Sequence, residues 1–217
     1  MKKVAVILSG CGYLDGSEIY ESVITLLALD SNDAKYRCFA PDIPQMHTIN
    51  HITGEVMPSD RNVLIEASRI ARGDIADINT LDVNEFDAII FPGGFGAAKN
   101  LSNFAIEGTN MSVTESVAKV AKAFADAGKP AGYICIAPAL AASIYGGALK
   151  CTIGKDVATA SAIDAMGGKH VECAVDDVVI DETHKVVTTP AYMLANRISE
   201  AAAGIEKLVS TILTMIK

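Results

Sequence analysis

Short apolar runs alternate with amphipathic segments along nearly the whole chain. Residues 4–8 (Val-Ala-Val-Ile-Leu) form a continuous apolar run that Gly10-Cys11-Gly12 turns out of; such a run reads as a strand buried on both faces. Residues 17–29 follow with helical spacing, which sets Ile19, Val23, Leu26 and Leu27 on one side. A second strand over 36–40 is closed by Pro41. Residues 42–58 have no helical period, and 48–56 reads as a small hairpin or ordered loop.

The alternation then resumes. A helix over 62–71 stops near Gly73, a strand over 86–91 breaks at Pro92-Gly93-Gly94, and an amphipathic helix over 112–127 ends at Gly128. A strand over 130–134 runs straight into Cys135 and a helix reaching Tyr145. A further strand-helix unit is expected over 151–166, a hairpin over 178–189 and a closing helix over 194–215. Apolar strands separated by helices predict a mostly parallel sheet covered on both faces. Ligands of such sheets bind beyond the carboxyl ends of the strands. Cys11, Gly93-Gly94, Cys135 and Thr189-Pro190 are expected to gather there.

Composition narrows the setting. The 217 residues suffice for one well-filled domain, 1–217. A formal net charge of −8 with scattered Lys and Arg argues against nucleic acid and anionic membrane surfaces as partners. No apolar stretch approaches the roughly 20 residues of a membrane-spanning helix. Five cysteines, an odd number without paired Cys-x-x-Cys spacing, fit a reduced, cytoplasmic protein better than a disulfide scaffold.

The chemistry centres on Cys135. A side chain on a sharp strand-to-helix turn is exposed, and helix N-terminal amides lie close to it. Pro92-Gly93-Gly94-Phe95-Gly96 can turn backbone N–H groups towards a developing oxyanion, with Gly94 and Ile136 as the two donors. An acidic group comes from Asp15-Gly16-Ser17-Glu18, or from Glu21 one turn later; spacing alone does not choose between Glu18 and Glu21. Asp15 and Glu18 also have the spacing of a capping box with Asp15 as N-cap. Cys11 reads as a packed thiol. Ile136, not a histidine, follows the thiol. His47, His51, His170 and His184 fall in loops or hairpins without metal-ligand spacing, and no dinucleotide-binding glycine pattern follows a strand. The site is expected to work without metal or cofactor.

Several long blocks resemble the ElbB family. They are Leu8-Ser9-Gly10-Cys11-Gly12 with Asp15-Gly16-Ser17-Glu18, Asn50-His51-Ile52-Thr53-Gly54-Glu55, Arg61-Asn62-Val63-Leu64-Ile65-Glu66-Ala67, residues 92–104, Cys135-Ile136-Ala137-Pro138-Ala139 and residues 187–195. That family lies in the ThiJ/PfpI, class I glutamine-amidotransferase-like superfamily, with labels tied to isoprenoid or lycopene biosynthesis and to glyoxalase activity. The resemblance implies a three-layer, flavodoxin-like α/β fold with Cys135 at a nucleophile elbow and Glu18 facing it. It marks residues 42–72 as a family-specific insertion. Cys11, Gly93, Asn100 and Thr189 are the candidate pocket residues, and pairing into a homodimer is expected. Glutaminases of the superfamily use a late His and PfpI-type proteases a His after the Cys; this chain has neither. The expected activity is conversion of glyoxal or methylglyoxal to the 2-hydroxy acid through a Cys135 adduct, with Glu18 as acid/base. The alternative is a regulator of isoprenoid metabolism whose Cys135 senses oxidants; a third reading is an amidotransferase subunit that works with an unidentified synthase partner.

Overall fold

The computed structural model describes residues 1–216. Its centre is a seven-stranded sheet built from β1 (Lys3–Ile7), β2 (Lys35–Ala40), β3 (Ile75–Asp77), β4 (Ala88–Phe91), β5 (Ala131–Ile134), β8 (Val179–Asp181) and β9 (Val186–Thr189). Their order is β3-β2-β1-β4-β5-β9-β8, and only β8 runs antiparallel, to β9. Alternate residues of each strand feed two separate cores. Val4, Val6, Ile90 and Ile134 pack with α1 (Ile19–Ser31) and α8 (Ile198–Met215). Ala5, Ile7, Ile89, Phe91 and Tyr133 pack on the other face with α5 (Glu115–Asp126) and α6 (Pro138–Tyr145). Both faces are dry, which is why the strands read as unbroken apolar runs. The three-layer α/β architecture and the mostly parallel sheet expected from the sequence are therefore present.

Four local readings change. Helix α1 is rotated from the expected face: Leu26 is buried as expected, but Ile19, Val23 and Leu27 are 41, 48 and 57% exposed, whereas Glu21, Ser22, Thr25, Ala28 and Leu29 are buried. The helix is apolar on several sides, so periodicity alone leaves its rotation open. The Thr25 hydroxyl donates to the Glu21 carbonyl (2.7 Å) and so enters the interior satisfied.

The unit expected over 151–166 leaves the main sheet. There β6 (Lys150–Cys151) pairs only with β7 (Lys169–His170), ahead of and after α7 (Val157–Ala165). The place beside β5 is filled by β9, and the Thr152 amide is held by the Thr188 hydroxyl instead (2.9 Å).

The short strand β3 carries no apolar run and was not expected. The last helix starts at Ile198 rather than 194, because Glu200 Oε2 accepts the Asn196 and Arg197 amides (2.9 and 3.2 Å) and caps it there. Within 42–62 the expected loop is ordered by an Ile49–Val56 bridge, a Pro44–Asn62 bridge and the Asn50 amide on the Glu55 carbonyl (2.9 Å).

Candidate functional site

Cys135 sits one residue beyond β5 with φ = +63°, a left-handed conformation that a side-chain-bearing residue adopts only under constraint. The constraint is visible on both sides. Its amide donates to the Thr189 carbonyl (3.0 Å), the Ala137 amide closes onto Ile134 O (3.0 Å), and Pro138 opens α6 with its φ already set. The sulfur receives the N–H groups of Gly94 and Ile136, and its thiol meets the carboxyl group of Glu21.

Glu21 is fully buried and is held from two further sides. Its Oε2 accepts the Gly93 amide (2.9 Å) and its Oε1 the Tyr192 amide (3.2 Å). The second donor is aimed by the turn after β9, where Ala191 takes φ = +42°. Gly93 makes the meeting sterically feasible: a Cβ there would stand 2.4 Å from Cys135 Cβ and 2.6 Å from Glu21 Oε2. Burial, reinforced by the charge of nearby Glu18, pushes the Glu21 pKa up to about 8. Burial also pushes the Cys135 thiol well up, with the Glu21 charge next, while the Gly94 and Ile136 amides pull it down. The pair therefore holds its protons at neutral pH and gives up the first one in the mildly alkaline range.

Glu18 occupies a different place from the one the resemblance implied. It is the N-cap of α1, and its Oε2 accepts the Glu21 amide (2.6 Å). A cap residue lies outside the helix, whereas Glu21, in its first turn, turns inward to the sheet; the tie left by spacing is resolved towards Glu21. Glu18 still lines the same cavity as Cys135, and burial raises its pKa.

Asp15 is correspondingly not the N-cap. It is buried and accepts the Ile49 amide through Oδ2 (2.6 Å), which fastens the 42–62 segment to the loop after β1. On that loop the Leu14 amide donates to His51 Nε2 (3.3 Å).

The other candidate pocket residues support the site without lining it. Asn100 donates to Ser9 O and Asp15 O (2.8 and 2.9 Å) and accepts the Met46 amide (3.0 Å). Thr189 anchors Cys135 through its carbonyl while its hydroxyl bonds Asp177 O (2.8 Å). Burial raises the Cys11 pKa, with the charge of Glu66 next, and the residue is not on the cavity wall. His170 is occupied by the Ile153 amide (3.3 Å) and is likewise absent from the wall.

The cavity over Cys135 measures about 450 Å³. Apart from Glu18, Gly94, Cys135 and Ile136, its walls were not anticipated. Tyr13 comes from the loop after β1, Phe95 and Ala98 from α3 (Phe95–Lys99), Phe104 from α4 (Phe104–Glu107), and Tyr192 and Met193 from the turn before α8. Asp156 and Thr159, at the start of α7, complete the rim. These residues come from four separate stretches of sequence, so no motif joins them. Among the described residues no group of three or more His, Cys, Asp or Glu is arranged to hold a metal ion, and no helix is long and apolar enough to cross a membrane.

A parallel sheet carrying a strained cysteine elbow, two amides on its sulfur and a buried carboxyl group from the first helix defines an α/β protein with the DJ-1/ThiJ/PfpI fold. A DJ-1 superfamily protein of Agrobacterium tumefaciens superposes on it with a TM-score of 0.59 at 17% identity, over 99% of this chain and 89% of that one. No protein-family model matches the chain. The human glutamine amidotransferase-like class 1 domain-containing protein 3, mitochondrial, is 44% identical over 98% of this chain and 83% of its own length. The zebrafish (Danio rerio) ES1 protein, mitochondrial, is 35% identical over 88% of this chain and 76% of its own. The chain belongs to this glutamine amidotransferase-like, ES1 family. An isoprenoid biosynthesis protein with an amidotransferase-like domain from Ehrlichia chaffeensis is 36% identical and matches with a TM-score of 0.94, each chain covered in full.

Proposed function

We propose that the protein is a cofactor-independent, glyoxalase-type enzyme acting on α-oxoaldehydes such as glyoxal and methylglyoxal. The observation that carries this reading is the buried contact between the Cys135 thiol and the Glu21 carboxyl group, beneath a cavity open to a small carbonyl compound. The reacting form is the pair that has given up its first proton: the Glu21 carboxylate takes the thiol proton as sulfur attacks the aldehyde carbon, and returns it to the new alkoxide. The Gly94 and Ile136 amides follow the charge as it moves from sulfur to oxygen. Glu21 then takes the former aldehyde C–H proton and delivers it to the adjacent carbon through an enediol, leaving a thioester. Water hydrolyses this to glycolate or lactate and frees the thiol. The acid/base role first given to Glu18 passes to Glu21 in this scheme, because Glu21 is the carboxyl group that touches sulfur.

An oxidant-sensing thiol is the weaker reading, since such a thiol needs an accessible thiolate. Cys135 is 8% exposed and its pKa is raised. A homodimer joined through the exposed Ile19, Val23 and Leu27 stripe, and a cytoplasmic setting, are part of the same proposal; the human and zebrafish relatives are named as mitochondrial.

The test is turnover of glyoxal and methylglyoxal by freshly reduced protein, with the hydroxy acid followed by NMR. Cys135→Ala and Glu21→Gln are expected to lose at least about 10²-fold, the usual contribution of a positioned acid/base, and Glu18→Gln less than tenfold. Full activity in Glu21→Gln would refute the mechanism. Rapid peroxide oxidation of Cys135 without any turnover would select the sensor.

A further inference from the structure

The cavity says more about its ligand than the reacting pair does. Its walls are Tyr13, Phe95, Phe104, Tyr192, Met193 and Ile136, and two of these rings, Tyr13 and Phe95, remain 48 and 46% exposed. Aromatic side chains left open around a concave site mark surface that a ligand covers. Methylglyoxal has five heavy atoms and fills roughly the space of three waters, ~90 Å³. The cavity is about 450 Å³, so such a substrate leaves most of the aromatic wall untouched.

Charge adds a second, independent restriction. The carboxyl groups on the wall are Glu18 and Asp156, and among the described residues no Lys, Arg or His lines it. Lys99 lies over the Phe95 ring (5.3 Å) and donates to the Leu14 carbonyl (2.9 Å), outside the lining. A carboxylate or phosphate entering here would meet two acids and no counter-ion, at a full desolvation cost.

We infer that the site takes uncharged carbonyl compounds bearing an aromatic or branched apolar substituent, and rejects anionic ones, isoprenoid diphosphates included. This rests on the glyoxalase-type reading for its chemistry and on the cavity alone for its ligand class. The reacting α-oxoaldehyde group sits over Cys135 and undergoes the steps given above, with no further co-reactant than water. The substituent lies among Phe95, Phe104 and Tyr192.

Two measurements separate the parts. The first compares kcat/KM for phenylglyoxal and methylglyoxal, where at least a tenfold preference for phenylglyoxal is expected. The second needs no turnover: protection of Cys135 from iodoacetamide by neutral phenylacetamide against its anionic isostere phenylacetate, with labelling located by mass spectrometry. Phenylacetamide is expected to slow labelling at least tenfold more than phenylacetate at equal concentration. The double variant Glu18→Gln/Asp156→Asn, which keeps side chains able to cap both helices, is expected to narrow that gap. A methylglyoxal preference, equal protection by phenylacetate, or a gap unchanged in the double variant would overturn the ligand class while leaving the chemistry standing. Selective protection by phenylacetamide with no turnover of any dicarbonyl would overturn the chemistry and support the ligand class. Absence of both turnover and protection would overturn the chemistry and the ligand class together.

Discussion

Glu21→Gln is the substitution that probes the site most directly, because its effect on stability changes with pH. In the folded protein the carboxyl group titrates at about 8 instead of its ordinary 4.5, chiefly because it is buried. A folded-state pKa above the unfolded one means that folding favours the protonated form. The stability this contributes is fully present below pH 4.5 and is lost as pH rises towards 8. With about 1.4 kcal/mol per tenfold in proton concentration, the loss between pH 5 and 8 is on the order of 3 kcal/mol. Glutamine has no proton to lose. At pH 5 the variant pays for presenting an amide N–H where the Gly93 and Tyr192 amides both need an acceptor, a deficit of roughly 1–3 kcal/mol. By pH 8 that deficit is offset, and the variant equals or exceeds the wild type. Urea unfolding followed by circular dichroism at pH 5, 6, 7 and 8, under reducing conditions, measures both curves. Parallel curves for the two proteins would mean that Glu21 titrates alike in the folded and unfolded chains. The reasoning about a buried, proton-holding pair would then be refuted.

Gly93→Ala drives a methyl group to within 2.4 Å of Cys135 Cβ and 2.8 Å of Ile134 O; it is expected to cost about 1–3 kcal/mol or more by overpacking and to slow Cys135 alkylation, both measurable on the purified variant. Asn100→Ala strands the Ser9 and Asp15 carbonyls and the Met46 amide, two of the three bonds being fully interior. A loss of about 2–4 kcal/mol in urea unfolding is expected, and a change under 1 kcal/mol would mean that water replaces the side chain. Val23→Glu with Leu27→Lys places charges on the exposed stripe of α1; sedimentation velocity is expected to shift from dimer to monomer, whereas an unchanged dimer would exclude this face.

How much of this was legible in the chain depends on the range of the forces involved. Strands buried on both faces announce themselves, because every position must be apolar; β1, β4 and β5 were readable for that reason. The elbow was readable too, since a strand running into Cys135-Ile136-Ala137-Pro138 leaves the thiol only one place. The sequence by itself therefore determined the fold class, the place of Cys135 at the elbow and the glycines that crowd it. Only the tertiary structure decided the rotation of α1, because that helix is apolar enough to bury more than one face. Packing against the sheet, with Gly93 and Tyr192 supplying amides, selected the face that carries Glu21. The same holds for the cavity wall. Tyr13, Phe95, Phe104 and Tyr192 are surface-compatible residues on distant segments, and the folded sheet brings them around one sulfur.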